Sequence, residues 1–206
     1  MSHNVFITGT GTDIGKTYYF CSLLKRLVKQ KISVRALKPI LSGIDKNNIY
    51  NSDTGRILES LKLPLTMENF IKVTPWYFVE AVSPHIAARE EGKVIKYDDV
   101  LGFCQPDKKC EFQFIEGAGG LMSPITQDQT NLDLIKDLNI PVILISGNYL
   151  GAISHLQTAI ECLNYYNIPI EKIVLNESIF PAIGLTELKE MINQKYNEAI
   201  ECLERI

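Results

Sequence analysis

Gly15-Lys16-Thr17 ends the stretch GTGTDIGKT, residues 9–17, directly behind the apolar run NVFIT. A lysine and a hydroxyl after a glycine-rich turn suit phosphate. Successive backbone N–H groups and a helix start face its oxygens, the lysine neutralises the outer phosphates, and the hydroxyl can ligate magnesium. The usual spacing, G-x-x-x-x-G-K-[ST], asks for glycine at position 10. Thr10 stands there and Gly9 one place earlier, so the loop is one residue longer between its outer glycines. The plain alternative is a ligand-free glycine turn between strand and helix.

Magnesium takes oxygen ligands, typically one or two carboxylates with phosphates and waters. Glu116 ends the apolar run FQFIE and precedes GAGG, where small residues let backbone approach a ligand closely. Asp53, in NSDTGRIL, is a second candidate, although locally Ser52 or Asp53 also reads as a helix N-cap. Lys38 closes the run SVRALKP and points either at a ligand crevice or into solvent. Ser83-Pro84-His85 reads as a helix start, with serine as cap and proline at the first helical position.

These residues need elements to position them. Residues 4–9, 33–39, 111–117, 141–146 and 172–177 read as strands, Pro39 ending the second because it offers no ladder donor. Helices are predicted over residues 15–30, 131–139 and 153–167. A C-terminal helix is expected to carry Leu185, Leu188, Ile192, Ala199, Ile200 and Leu203 on one side. Strands apolar on both faces and separated by helices predict a doubly wound α/β fold, a mostly parallel sheet with helices on both faces. Ligands then bind at the strands' C-terminal ends. Residues 43–80 read as irregular, and no linker or repeat divides residues 1–206, so one domain is expected.

The 206 residues are 46% hydrophobic and 22% charged, with a net charge of −3, which leaves no basic footprint for nucleic acid. The five cysteines are odd in number and lack CxxC spacing, which predicts reduced thiols rather than disulfides or a zinc site. MSHNVFITG lacks the basic and long apolar regions of a signal peptide, and the apolar stretch 140–145 is too short to span a bilayer. A cytoplasmic protein without membrane contact is expected.

Together the segments GTGTDIGKT (9–17), KPILSG (38–43), NSD (51–53), SPHIAA (83–88), EGAGGLMSPI (116–125) and LGAISH (150–155) resemble the dethiobiotin synthetases, ATP-dependent ligases of biotin biosynthesis. The longer phosphate loop is itself a trait of that family. The resemblance implies a P-loop NTPase-type fold. It also implies that ATP, CO2 and 7,8-diaminononanoate are substrates, Mg2+ is the cofactor, and two copies form a homodimer. One substrate amine captures CO2 as a carbamate, ATP phosphorylates it, and the second amine closes a cyclic urea.

By the same resemblance Gly11, Thr12, Asp13, Ile14, Gly15, Lys16, Thr17 and Tyr18 bind nucleotide, and Asn176 meets the adenine edge. Thr17, Asp53 and Glu116 hold Mg2+. Lys38 faces the carbamate and the transferred phosphoryl, with Lys16, Thr12 and Ser42 around it. Ser83 and the glycine backbone including Gly119 line the diamine pocket. Gly151, Ala152, Ile153 and Ser154 of the other subunit receive the substrate carboxylate. Asp13 and Ser154 stand where glutamate and asparagine are common. After Asn176, SIFPAIGLTELKEMI leads almost directly into the expected final helix, where many members carry another strand and a base-covering loop. A more open adenine side follows. A MinD- or ParA-like nucleotide-switched ATPase is the competing class, but Thr8-Gly9-Thr10 stands where such proteins carry a second lysine.

Overall fold

The computed structural model describes residues 2–196 and 198–204. Its first half runs β1 (His3–Gly9), α1 (Lys16–Lys29), β2 (Val34–Leu37), β3 (Ile40–Ser42), α2 (Asp53–Ser60), α3 (Met67–Val73), β4 (Trp76–Phe78), α4 (Pro84–Glu90) and α5 (Tyr97–Phe103). The second half runs β5 (Phe112–Glu116), α6 (Asn131–Leu138), β6 (Val142–Gly147), α7 (Ala152–Tyr165), β7 (Ile170–Asn176), α8 (Leu185–Lys195) and β8 (Ile200–Leu203). Six strands form one parallel sheet in the order β2-β5-β1-β6-β7-β8, and β3 and β4 form a small parallel pair.

Alternation along each strand sends neighbouring residues into two separate cores. Val5, Ile7, Phe114, Ile143, Ile145 and Val174 pack on one face with Tyr19, Phe20, Leu24, Ile57 and Phe70 of α1, α2 and α3. Phe6, Ile115, Val142, Leu144, Ile173 and Leu175 pack on the other, with Leu134, Leu156, Ile160, Leu188 and Ile192 of α6, α7 and α8. Each such fully buried side chain contributes about 1.5–3 kcal/mol. This accounts for strands that are apolar at nearly every position. The chain winds to one side of β1 for β2 and β5 and to the other for β6, β7 and β8. The crevice beside the end of β1 is therefore where ligands belong in such folds.

Two expectations are corrected. The expected long C-terminal helix stops at Lys195, and Ile200–Leu203 instead forms β8, parallel to β7, with Lys172 Nζ 2.8 Å from Glu201 Oε2 across the pair. Leu185, Leu188 and Ile192 do face the core from a helix, whereas Ile200 and Leu203 belong to a strand. The physical reason is the free edge of β7, whose unpaired N–H and C=O groups gain ladder partners from a parallel strand. A strand therefore does follow Asn176, reached after α8. Residues 43–80 are also more ordered than expected, since they hold α2, α3 and β4. The five cysteines are unpaired in the structure.

Candidate active site

The two departures of the phosphate loop from the usual pattern have steric causes. A Cβ at position 9 would lie 2.4 Å from Ile14 Cδ1 and 2.7 Å from Ile145 O, so the close approach of β6 requires Gly9. Position 10 has no such crowding. Thr10 N donates to Ile145 O at 2.9 Å, and its hydroxyl lies 3.2 Å from Ser146 Oγ. Gly15 caps α1 in the left-handed region, φ 89°, where a side chain would also meet Asn176 Nδ2 at 2.4 Å. No side chain caps α1, and its first turn has no acidic residue. Lys16 Nζ spans the loop to donate to Gly11 O at 2.5 Å. Burial, reinforced by the nearby Lys38 charge, lowers its pKa to about 8. An arriving polyphosphate would favour its charged form.

Beside the loop, three elements bring opposite charges together. Glu116, at the end of β5 and 1% exposed, accepts from Thr17 Oγ1 and from Lys38 Nζ through the same oxygen, Oε1, at 2.6 Å each. Its Oε2 is buried without a hydrogen-bond partner. Lys38 Nζ also lies 3.0 Å from Asp53 Oδ2. Lys38 is 4% exposed, and its carbonyl accepts from Thr74 Oγ1 at 2.8 Å. Burial alone would lower the Lys38 pKa, yet the charges of Glu116 and Asp53 outweigh it and hold the ammonium above its ordinary value. Burial likewise opposes ionisation of Asp53, and the Lys38 charge overrides it to keep that carboxyl below the ordinary range.

The alternatives left open locally are thereby resolved. Lys38 is buried in the crevice. Ser52, not Asp53, caps α2, its hydroxyl accepting from Gly55 N at 3.4 Å, so the Asp53 carboxylate is available for the ion pair. Ser83 precedes α4 with Pro84 at its start, but its side chain makes no capping bond. Among the described residues no cluster of three or more His, Cys, Asp or Glu forms. The donors that converge are oxygen alone, from Thr17, Asp53 and Glu116, with the unpartnered Glu116 Oε2 among them. That set fits magnesium when phosphate and water complete the shell.

A cavity of about 670 Å3 opens on this cluster, bordered by Thr12, Asp13, Lys16, Thr17, Lys38, Ser42, Asp53, Ser83, Glu116 and Gly119. The Ser42 hydroxyl is buried there without a partner. A second cavity of about 800 Å3 lies across the loop, bordered by Gly11, Ile14, Asn176, Phe180 and Leu203. Thr12, Asp13, Gly15 and Tyr18 border both. Leu203 of β8 and Glu204 after it also border this second cavity, on the side of Asn176 that was expected to be more open. Gly151, Ala152, Ile153 and Ser154 border neither cavity. They form the start of α7, with Gly151 at φ 94°, no side-chain cap and no acidic residue in the first turn.

Sequence reasoning missed Arg56 and Ser123 in the first cavity and Tyr149, His155 and Phe180 in the second. Arg56 carried a signal, since it stands three residues after Asp53 and so on the same helical face. Ser123 carried none, because its hydroxyl reaches the site by accepting from Gly120 N at 2.7 Å in a turn.

Comparison with known proteins identifies relatives of the whole chain. A family described as "AAA domain" matches residues 3–200. The ATP-dependent dethiobiotin synthetase BioD of Phenylobacterium zucineum is 39% identical over 193 residues, covering 92% of this chain and 82% of that protein. The enzyme of the same name from Caulobacter vibrioides is 41% identical over 179 residues, covering 85% and 80%. Among solved structures, a chain of the MinC:MinD cell division protein complex of Aquifex aeolicus aligns with a TM-score of 0.55 at 11% identity, covering 100% of this chain and 82% of that one. That likeness shows a shared P-loop NTPase-type fold. The relatives go further than fold, and this chain belongs to the dethiobiotin synthetase family.

Proposed function

We propose that this chain is a single-domain, magnesium- and ATP-dependent cyclo-ligase. It converts 7,8-diaminononanoate and CO2 to dethiobiotin and releases ADP and phosphate. The observation that carries this reading is the convergence of Lys16, Thr17, Lys38, Asp53 and Glu116 where two cavities meet, in a chain related to proteins of that name.

The second cavity would take the nucleoside. Asn176 Nδ2 donates to Ile14 O at 2.9 Å, which leaves its buried Oδ1 as an unpartnered acceptor suited to the amino group of adenine. The phosphates would cross Gly11–Thr17 towards the first cavity, with Lys16 released from Gly11 O to meet them. Thr17, Asp53 and Glu116 would hold Mg2+, which when bound draws charge from the transferred phosphoryl group.

The first cavity would hold the diamine, with Ser83 and Gly119 on its wall. One amine adds to CO2 and loses a proton. A carbamate oxygen attacks the γ-phosphorus as ADP leaves, and the second amine then displaces phosphate to close the ring. Bringing a carbamate against a triphosphate opposes like charges, so positioning and fixed cations do most of the catalysis. Lys38 is suited to that role because its raised pKa keeps it charged at neutral pH. It acts as a fixed cation, not as a proton carrier. The Ser42 and Thr12 hydroxyls, which border the same cavity, would donate to the same oxygens.

Purified protein given diaminononanoate, bicarbonate, Mg2+ and ATP should release ADP and the cyclic urea in equal amounts. ADP release that ignores the diamine would sink the proposal.

The start of α7 lies outside both cavities, and its N–H groups meet no side-chain cap, which suits a carboxylate from a site on a second copy. We therefore propose a homodimer with shared sites. Light scattering should give twice the chain mass, and a fully active monomer would contradict the assignment. A cytoplasmic setting fits the need for ATP and the free thiols. No helix among the described residues is long and apolar enough to cross a membrane.

A further inference from the structure

The segment that follows Asn176 is fastened by one residue. Asn148 is 1% exposed, and four of its polar groups bond to residues 178–183. Its N–H donates to Ser178 Oγ at 3.0 Å, and its Oδ1 accepts from Ser178 N at 2.7 Å. Its Nδ2 donates to Ile183 O at 2.7 Å, and its carbonyl accepts from Ala182 N at 2.8 Å. A loop without regular structure is thus clamped at both ends. Between the clamps stand Ile179 and Phe180, 68% and 84% exposed, on the wall of the cavity that Asn176 also borders. Rigid backbone under an uncovered ring is a poor arrangement for the free chain but a prepared one for a flat ligand.

We propose that Phe180, carried on the segment that Asn148 clamps, is the stacking face for the nucleobase and gives this site its preference for a purine. This rests on the second cavity being the nucleoside side of an ATP site. Asn176 reads the base edge, and one hydrogen bond to an amino group does not separate adenine from cytosine. Contact area over an aromatic ring does, because the purine face is larger. Asn148 is then a positioning residue that touches no ligand.

Direct binding tests this without turnover. Phe180→Ala should weaken ATP binding roughly tenfold, as loss of a base–aromatic stack does. It should also narrow the gap between ATP and CTP and leave the affinity for inorganic tripolyphosphate unchanged. Phe180→Trp should keep ATP binding. Asn148→Ala should reproduce the pattern of Phe180→Ala, a base-dependent loss that a general weakening of the fold would not give. Equal ATP affinity in the parent and Phe180→Ala proteins overturns the assignment, as does an equal loss for tripolyphosphate. A chain that binds ATP through Phe180 yet makes no cyclic urea supports the stacking role and removes the ligase reading.

Discussion

Replacing Lys38 with alanine is expected to lower turnover by about 10²–10³-fold, the loss typical when one preorganised charge is taken from a developing anion. ATP affinity should stay within a few-fold of the parent, because Lys38 borders only the first cavity. The same change should be visible without substrate. Lys38 is the cation 2.6 Å from Glu116 and 3.0 Å from Asp53, and Glu116 is nearly inaccessible to water. Breaking a buried pair by removing one partner costs about 3–5 kcal/mol, since the remaining charge is left uncompensated. Thermal melts in chelator should therefore fall well below those of the parent, and Mg2+ should restore much of the difference by supplying another cation. An unchanged turnover number removes Lys38 from the catalytic group, whatever the melts show.

Glu116→Gln should be nearly as damaging by a different route. The amide keeps the shape but removes the charge. If its nitrogen takes the place of Oε1, it faces two donors, Thr17 Oγ1 and Lys38 Nζ. If it takes the place of Oε2, its N–H groups inherit a buried position without a partner. In either pose the proposed Mg2+ site would lose a carboxylate. Activity at millimolar Mg2+ should drop at least about a hundredfold, with half-saturation moved to higher metal concentration. A magnesium titration that superimposes on the parent curve would mean that Glu116 serves only to balance Lys38.

The division between what was legible and what was not follows the range of each interaction. The phosphate loop could be read because strand, glycines, lysine and helix lie within fourteen residues and depend on each other locally. The strands could be read because both faces are buried, which forces nearly continuous apolar runs. Asp53 could not be decided locally, since carboxylates and hydroxyls both cap helices. Only the third dimension reveals that Ser52 takes the cap and Lys38 takes the carboxylate. The C-terminal misreading has the same origin. Leu185, Leu188 and Ile192 have true helical spacing, and Ile200 and Leu203 happen to extend it in phase. What decides their fate is the open edge of β7, a partner nearly thirty residues away in sequence. Phe180 gave no signal because a lone aromatic between Ile179 and Pro181 follows neither the helical nor the strand period.

Three helix starts contrast with that of α1. Ser52, Thr66 and Thr130 cap α2, α3 and α6 with their own hydroxyls, and each of these helices has an acidic residue in its first turn. The helix behind the phosphate loop has neither, and it begins on Gly15. On the proposed reading the ligand would bring its missing terminal group, and a bound triphosphate would finish α1 as a hydroxyl finishes α2. Binding and folding then draw on the same interaction. Nucleotide at a hundred times its dissociation constant would raise the unfolding free energy by about 2.7 kcal/mol. The nucleotide would then be part of the stable form of this protein as well as a substrate.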